Sequence, residues 1–202
     1  MDFIIETVVS DEDESAMLDI RERVFEREMG IRLAPAHAPG EGGAAHLLAR
    51  VAPGGEAVGT LSVIDTSGDR ALHESCGLGF DPGERTARYM HLAVLKSYRG
   101  MKIPLKMMLA AHHRVVVPRG YGHTWLLFDA ERAPAAPLFR LLGFELKQGV
   151  FVSEYGRRRP LVRDERAPSS EQVIRRAEQY LEGLNGSRAR AGAQFAGAAL
   201  GM

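Results

Sequence analysis

The sequence predicts a sandwich-like α/β domain in which helices cover a central sheet. Short β-type runs alternate with stretches of helical periodicity, in the order β-α-β-β-β-α-β-α-β-β. The chain has 202 residues, of which 45% are hydrophobic, so it can bury one substantial core. We therefore expect one domain over residues 1–165, an amphipathic helix over 166–184, and a mobile tail rich in Gly, Ala and Arg over 185–202.

The amino-terminal segment predicts a strand followed by a helix. Residues 3–9 form a β-type run, and Ser10 with the acidic residues behind it is typical of a helix N-cap. We expect the helix to end near Gly30 and residues 31–45, which hold two prolines and three glycines, to form a loop. The apolar positions of the helix recur at three- and four-residue spacing and should face the core: Met17, Ile20 and Val24.

The middle of the chain predicts a hairpin and a further strand. The β-type runs 46–51 and 57–64 are separated by Pro53-Gly54-Gly55, which is a hairpin signal. These two runs should extend an antiparallel sheet. A polar loop over 65–85 then leads to a strand over 87–95.

A strand-to-helix turn follows and is the most informative stretch of the chain. The apolar run within residues 92–104 stops at Arg99-Gly100 and restarts as a helix expected over 103–116. Pro104 fits only the first turn of that helix, where its missing N–H breaks no intrahelical hydrogen bond. A glycine-bearing turn before a helix N-terminus exposes backbone N–H groups beside a positive dipole end. The turn therefore predicts a phosphate site.

The second half of the chain predicts further strands around a short helix. Residues 123–128 form a buried strand and residues 138–142 a helix, with Gly143 as its C′ cap. A strand opens after this glycine, and the runs 150–155 and 161–163 finish the sheet.

The last predicted helix is amphipathic, and Ser170 is expected to cap it. Such a helix covers the core with one side and leaves its other side in water. The apolar side holds Val173, Ala177, Tyr180, Leu181 and Leu184.

Composition excludes several classes of function. Lys plus Arg and Asp plus Glu both number 26, so no net field favours a nucleic acid or an anionic membrane as partner. The single Cys76 excludes an internal disulfide, and no apolar run is long enough to span a bilayer, so we expect a cytoplasmic protein. No metal site is expected, since His112-His113 diverge around a helix and His73-x-x-Cys76 lacks partners.

The turn at Arg99 resembles the acyl-donor loop of the GCN5-related N-acetyltransferase (GNAT) superfamily, whose signature is Arg/Gln-x-x-Gly-x-Gly/Ala. Lys102 and Pro104 stand where that signature has small residues. The segments Trp125–Phe128 and Leu138–Phe144 resemble the superfamily's closing leucine, aromatic and Gly-Phe pattern. The resemblance covers about residues 3–155. It implies a mixed, largely antiparallel central sheet, flanked by helices, whose central strands splay apart.

This resemblance also implies where an acyl donor binds. The pantetheine arm of acyl-CoA, or of the acyl-phosphopantetheine on an acyl carrier protein, should lie between strands 87–95 and 123–128. Backbone groups of residues 92–94 would hold its amides and polarise the thioester carbonyl. The expected donor-binding residues are Leu92, Ala93, Val94, Arg99, Gly100, Met101, Lys102 and Ile103.

The first helix carries a second resemblance. Arg21-x-x-Val24-Phe25, followed by Glu28 and Gly30, is similar to the opening of the autoinducer synthases and long-chain N-acyl amino acid synthases, which take acyl chains from acyl carrier protein. A carrier presents one phosphodiester instead of a pyrophosphate, which suits a donor loop with Lys102 and Pro104.

This branch implies an acceptor site, although the motif differs from that of a homoserine-lactone synthase. Ile31 stands at an expected tryptophan, and Arg88-x-x-His91 stands at an expected Glu-x-x-Arg. Arg21 and Phe25 would equally suit a surface cation and a core aromatic. The expected substrate-binding residues are Arg21, Phe25, Met90, Trp125 and Phe128.

Aminolysis of a thioester needs a base for the attacking ammonium and a group that stabilises the oxyanion. His91 is the candidate base, because an ordinary histidine titrates near neutrality, but it would also suit a core histidine. Glu28 and Glu131 are secondary candidates. Arg88 could hold a substrate carboxylate or be an exposed strand arginine. The superfamily's frequent tyrosine acid is replaced by Phe139.

Strict alternation would place side chains of this strand on two faces of the sheet. This alternation does not indicate which of the two faces meets the substrate. One face would hold Arg88, Met90 and Leu92, and the other Tyr89, His91 and Ala93.

The sequence thus predicts an N-acyltransferase that moves an acyl group from a thioester to the amine of a small molecule such as an amino acid. An acetyl-CoA-dependent acetyltransferase and a non-catalytic acyl-thioester-binding module are the alternatives. Residues 155–159 are basic and could dock an acidic carrier protein, and a homodimer is possible.

Overall fold

A computed structural model describes residues 1–33, 43–129, 136–153 and 156–183, in which eight strands form one sheet and helices cover both of its faces. The strands are β1 Phe3–Thr7, β2 Ala45–Val51, β3 Ala57–Asp65, β4 Thr86–Val94, β5 His123–Asp129, β6 Glu145–Leu146, β7 Phe151–Ser153 and β8 Gly156–Asp164. The helices are α1 Asp11–Arg21, α2 Arg70–Ser75, α3 Ile103–Ala111, α4 Ala136–Leu141 and α5 over 170–183. A π-helix continues α1 over Glu22–Glu28, and another continues α3 over His112–Val116.

The strands follow the order β1-β2-β3-β4-β5-β8-β6, with β7 also paired to β8. All described pairings are antiparallel except that of β4 with β5. This parallel pair extends from Thr86–His123 to Arg88–Trp125 and then stops, although both strands continue. The predicted fold class is therefore confirmed, including the splay of the two central strands.

The two faces of the sheet carry different helices. On one face, α3, α4 and α5 pack into the main core, where Met107, Phe139 and Ile174 are buried. On the other face, the predicted apolar stripe of α1 packs against β2 and β4. The short α2 covers a third cluster on that side, around Trp125 and Cys76.

A bulge in β4 changes the predicted alternation of its side chains. The register with β3 shifts so that His91 and Leu92 together face the single Leu61. Leu92 consequently packs in the same core as Tyr89, whereas Ala93 packs beneath α1. The prediction that Leu92 shares a face with Arg88 was wrong, because the extra residue resets the period-2 pattern.

Local signals at element ends are mostly confirmed. Ser10 Oγ accepts the N–H of Asp13 at the start of α1, β2 and β3 form the predicted hairpin, and Pro104 lies in the first turn of α3. Gly143 follows α4 with φ 76°, as expected of a C′ cap. Leu184 and the predicted tail at 185–202 lie outside the described residues.

Three predictions need correction. The interval 65–85 is not only a loop, since it contains α2, which Asp69 caps by accepting the N–H of Leu72. Helix α5 begins at residue 170, so Ser170 is the first residue of the helix and does not occupy the N-cap position that precedes it. Tyr180 was placed on the buried side but is 42% exposed, and Ile174 lies in the core instead.

Candidate functional site

A cleft of about 540 Å³ opens where β4 and β5 part. Its lining is largely apolar and comes from both faces of the sheet. From the α3 side it includes Tyr89, Leu92, Met108, Leu126, Phe128 and Phe139. From the α1 side it includes Phe25, Met29, Ile31, Leu33, Met90, His91, Leu127 and Phe151. The charged lining residues are Arg88, Asp129 and Arg158. Volume and apolar lining are both typical of a small-molecule site.

Arg88 lies at the last paired position of β4 and β5, where the cleft begins. Its Cζ stands 4.9 Å from the ring centroid of Trp125, a stacking arrangement that favours a cation. Its Nε is buried and has no hydrogen-bond partner among the described residues. Burial lowers the pKa of Arg88, but a guanidinium keeps its charge in proteins. The base of the cleft therefore holds a desolvated cation with no carboxylate beside it in the described chain.

His91 is the bulge residue and lines the same cleft. Its backbone has φ 53°, in the left-handed region that is uncommon for a residue with a side chain. Its ring meets the ring of Phe25 edge to face, with centroids 6.2 Å apart. The bulge and this contact place the imidazole on the α1 side of the cleft. Strained positions of this kind are often found at functional sites.

The predicted donor loop lies between β4 and α3. It contains a 3₁₀ turn over Lys96–Tyr98, and Gly100 and Lys102 have φ 83° and 63°. Lys102 is the N-cap of α3 and makes no side-chain capping bond, so its side chain satisfies none of the first-turn N–H groups. Lys96, Lys102 and Lys106 pair with no carboxylate in the described part of the chain. These cations and the helix dipole together favour an anion at this loop.

Arg99 and Glu28, which the sequence assigned separate roles, form an ion pair. Arg99 Nη2 donates to Glu28 Oε2 at 2.6 Å, and Arg99 Nε donates to the Val94 carbonyl at 3.1 Å. Glu28 is thus held at the donor loop and does not line the cleft. The other secondary candidate, Glu131, lies outside the described residues.

Arg21 is fully buried and lies away from the cleft lining, unlike Phe25 one turn later. Its Nη2 donates to Ser62 Oγ at 2.5 Å and lies 3.3 Å from His46 Nδ1, which is 2.8 Å from the same Ser62 oxygen. Burial and the adjacent guanidinium lower the pKa of His46 to about 4. Arg21 therefore links the end of α1 to β2 and β3.

Of the remaining predicted substrate residues, two line the cleft and one does not. Met90 and Phe128 line the cleft, whereas Trp125 is fully buried beneath Arg88 and donates its indole N–H to Thr66 Oγ1. Trp125 supports the floor of the site and does not line it.

Asp129 is the residue that sequence reasoning missed. It is the one carboxylate among the described residues that line the cleft, at the end of β5 and in register with Arg158. Its place directly after a predicted buried strand was the available signal. Tyr89 is the one described lining residue with a hydroxyl, and burial raises its pKa, so it is a poor proton donor. With Phe139 at the position of the family's tyrosine acid, the described cleft lacks a tyrosine suited to that role.

Solved structures with the same architecture include enzymes of acyl transfer. The chain is similar to FeeM, an N-acyl amino acid synthase from uncultured soil microbes, at 12% identity and a TM-score of 0.61, over 81% of this chain and 90% of that one. It is similar to a CoA-dependent acyl-homoserine lactone synthase, BjaI, at 15% identity and a TM-score of 0.62, over 88% and 90%. It is also similar to Arabidopsis thaliana NAA60 in complex with acetyl-CoA, at 13% identity and a TM-score of 0.61, over 81% and 98%.

The chain has the GNAT fold. The fold that the resemblance implied is confirmed, and the solved structures that share it include an N-acyl amino acid synthase and an acyl-homoserine lactone synthase. No protein-family model and no curated protein sequence matches the chain. Within the described ranges, no helix is long and apolar enough to cross a membrane, and no cluster of three His, Cys, Asp or Glu residues could hold a metal ion.

Proposed function

We propose that this GNAT-fold protein is an N-acyltransferase that moves an acyl group from a thioester to the amine of a small acceptor bearing a carboxylate, such as an amino acid. We infer the carboxylate of the acceptor from Arg88, whose buried guanidinium faces the cleft. A guanidinium that has lost water and has no counter-ion in the described chain is costly unless a ligand supplies an anion. A substrate carboxylate fits its planar fork with two parallel hydrogen bonds.

The cleft holds residues suited to the aminolysis of a thioester. The amine nitrogen attacks the thioester carbon, the C–S bond breaks, and the thiol leaves as a thiolate, which needs no strong acid. Backbone groups of residues 92–94 would hold the donor and polarise its carbonyl. His91, on the α1 side of the cleft beside Phe25, would remove the ammonium proton before attack, and Asp129 is the second candidate for that role.

The class of acyl donor is inferred from the turn between β4 and α3. The uncapped start of α3 and the three nearby lysines support a phosphate-bearing donor, either acyl-CoA or acyl carrier protein. Of the basic segment 155–159, the described arginines 157–159 lie on β8, where a carrier could dock. The apolar and methionine-bearing lining favours a longer acyl chain over acetyl.

Thiol release from acyl-CoA and acyl carrier protein, measured side by side over several chain lengths, tests the reaction. Each acceptor is compared with its own amide, which keeps the amine and removes the carboxylate. We expect the wild-type protein to prefer the amino acid by about 10-fold or more in kcat/KM, since a hydrogen bond to a charged group contributes about 1.5–3 kcal/mol.

Arg88→Gln should remove this preference, with little change in the rate for the amide. Arg85→Gln is the matched control, because Arg85 lies just before the same strand and pairs with Asp65 outside the cleft. Equal rates for acid and amide in the wild type would contradict the acceptor assignment. Absence of thiol release with every donor and acceptor would favour the non-catalytic binding module, and a strict preference for acetyl-CoA would favour the acetyltransferase.

A further inference from the structure

The two residues assigned to the acceptor lie on the same side of the sheet. Arg88 stacks on Trp125, which belongs to the core cluster that α2 covers, and His91 meets the ring of Phe25 from the π-helix that continues α1. Arg88 would hold the carboxylate of an α-amino acid, and His91 would deprotonate its amine. The side chain of the amino acid must lie on this side as well, because all three groups are attached to one carbon atom.

Two apolar residues form the next level of the cleft beyond Arg88. Met90 follows Arg88 on β4, and Leu127 follows Trp125 on β5, each two residues further along and on the same face. A strand rises about 3.3 Å per residue, so this level lies about 6–7 Å beyond the stack of Arg88 on Trp125. When a carboxylate binds the Arg88 guanidinium, the side chain of an α-amino acid extends into this level and contacts Met90 and Leu127.

The surroundings of this level are apolar. Other than His91, the described residues on this side between Arg88 and the mouth of the cleft carry no polar side chain: Phe25, Met29, Ile31, Leu33 and Phe151. Asp129 and Arg158 lie at the mouth, opposite each other in the register of β5 and β8, so their charges offset each other. A polar side chain on the acceptor would therefore lose water here without gaining a matching partner.

We propose that Met90 and Leu127 are specificity-determining residues that select an α-amino acid with an apolar side chain as acceptor, an inference that rests on the proposed function. Arg88 selects the carboxylate, whereas Met90 and Leu127 select against an amide or a charge on the side chain. Each buried methylene of the acceptor favours the complex, and each buried polar group without a partner opposes it. The expected acceptors are amino acids such as leucine, methionine and norleucine.

Thiol release with matched pairs of acceptors tests this selection in the wild-type protein. Leucine and asparagine have nearly the same shape, and lysine differs from norleucine by its terminal amine. Leucine should exceed asparagine by about 10-fold or more in kcat/KM, because the asparagine amide loses water without a partner. Norleucine should exceed lysine for the same reason. Equal values for leucine and asparagine, or a preference for lysine over norleucine, would overturn the inference.

Substitutions at the two residues test their contact with the acceptor side chain. Met90→Gln and Leu127→Asn keep the approximate shape of each residue and add an amide that can bond to the amide of asparagine. Each should lower the ratio of leucine to asparagine turnover by about fivefold, which is the effect of one new hydrogen bond. A ratio that stays at the wild-type value in either variant would refute the role of that residue.

Leu92→Asn is the matched control for these variants. Leu92 lines the same cleft but packs in the core on the α3 side, away from the acceptor. The control should slow the use of the donor and leave the ratio of leucine to asparagine unchanged. An equal fall of this ratio in the control would show that the variants act through the cleft as a whole, and would overturn the assignment to Met90 and Leu127.

A binding measurement separates this inference from the proposed function. N-octanoyl-leucine and N-octanoyl-asparagine, which represent the products, serve as probes in calorimetry. A protein that turns over amino acids without preferring leucine refutes the role of Met90 and Leu127 alone. One that binds N-octanoyl-leucine more tightly but releases no thiol with any donor and acceptor supports that role and refutes the acyltransferase. Binding of neither probe, together with no thiol release, overturns both.

Discussion

The buried cluster of Arg21, His46 and Ser62 should make the stability of the protein sensitive to mild acid. His46 has a pKa of about 4 in the folded protein, because burial and the guanidinium of Arg21 both disfavour its imidazolium. In the unfolded chain its pKa returns to about 6.5. The folded state therefore binds fewer protons than the unfolded state between these values, so stability is fully present above pH 6.5 and falls as the pH falls towards 4.

The size of the effect follows from the two values. Linkage over a difference of about 2.5 pKa units gives about 3 kcal/mol in total, of which about 2 kcal/mol is lost between pH 7 and pH 5. His46→Asn is the informative variant, because its amide oxygen can still accept from Arg21 but does not titrate. It should be less stable than the wild type at pH 7 and should lose about 2 kcal/mol less on acidification to pH 5.

Urea unfolding at a series of pH values measures this difference, with Trp125 fluorescence as the signal. The matched control is His113→Gln, since His113 is exposed and pairs with Glu178 at the surface. Both variants remove one histidine, but the control should keep the pH dependence of the wild type. An equal loss of unfolding free energy by His46→Asn and the wild type between pH 7 and pH 5 would show that His46 does not cause the pH dependence.

Two predictions concern substrate binding and turnover. Arg99→Ala should weaken CoA binding much more than it lowers the unfolding midpoint, because the Arg99 side chain is half-exposed at the predicted donor loop. Unchanged CoA affinity in calorimetry would exclude the phosphate contact. His91→Ala should lower kcat by about 10²-fold or more as the loss of a general base, while Asp129→Asn should cost less. Steady-state thiol release measures both, and the reverse order of the two effects would assign the base to Asp129.

Much of the fold could be predicted from the sequence because its signals are local. Strand runs, the hairpin at residues 53–55 and the cap at Ser10 each depend on a few neighbouring residues. The donor loop was predicted from a local turn together with a superfamily resemblance. Arg88 could be proposed as a carboxylate-binding residue because a guanidinium would suit an amino acid acceptor, although an exposed strand arginine was the commoner explanation.

The tertiary structure decided what depends on contacts between distant segments. The bulge at His91 arises from the register of β4 with β3, so periodicity within one strand could not reveal that Leu92 changes face. Arg21 meets His46 and Ser62, and Glu28 meets Arg99, only after α1 packs on the sheet. The sequence by itself determined the fold and the turn at Arg99 between β4 and α3, because local propensity and burial fix them. Only the packed structure decided which charges pair and which, like Arg88, face the cleft without a counter-ion in the described chain.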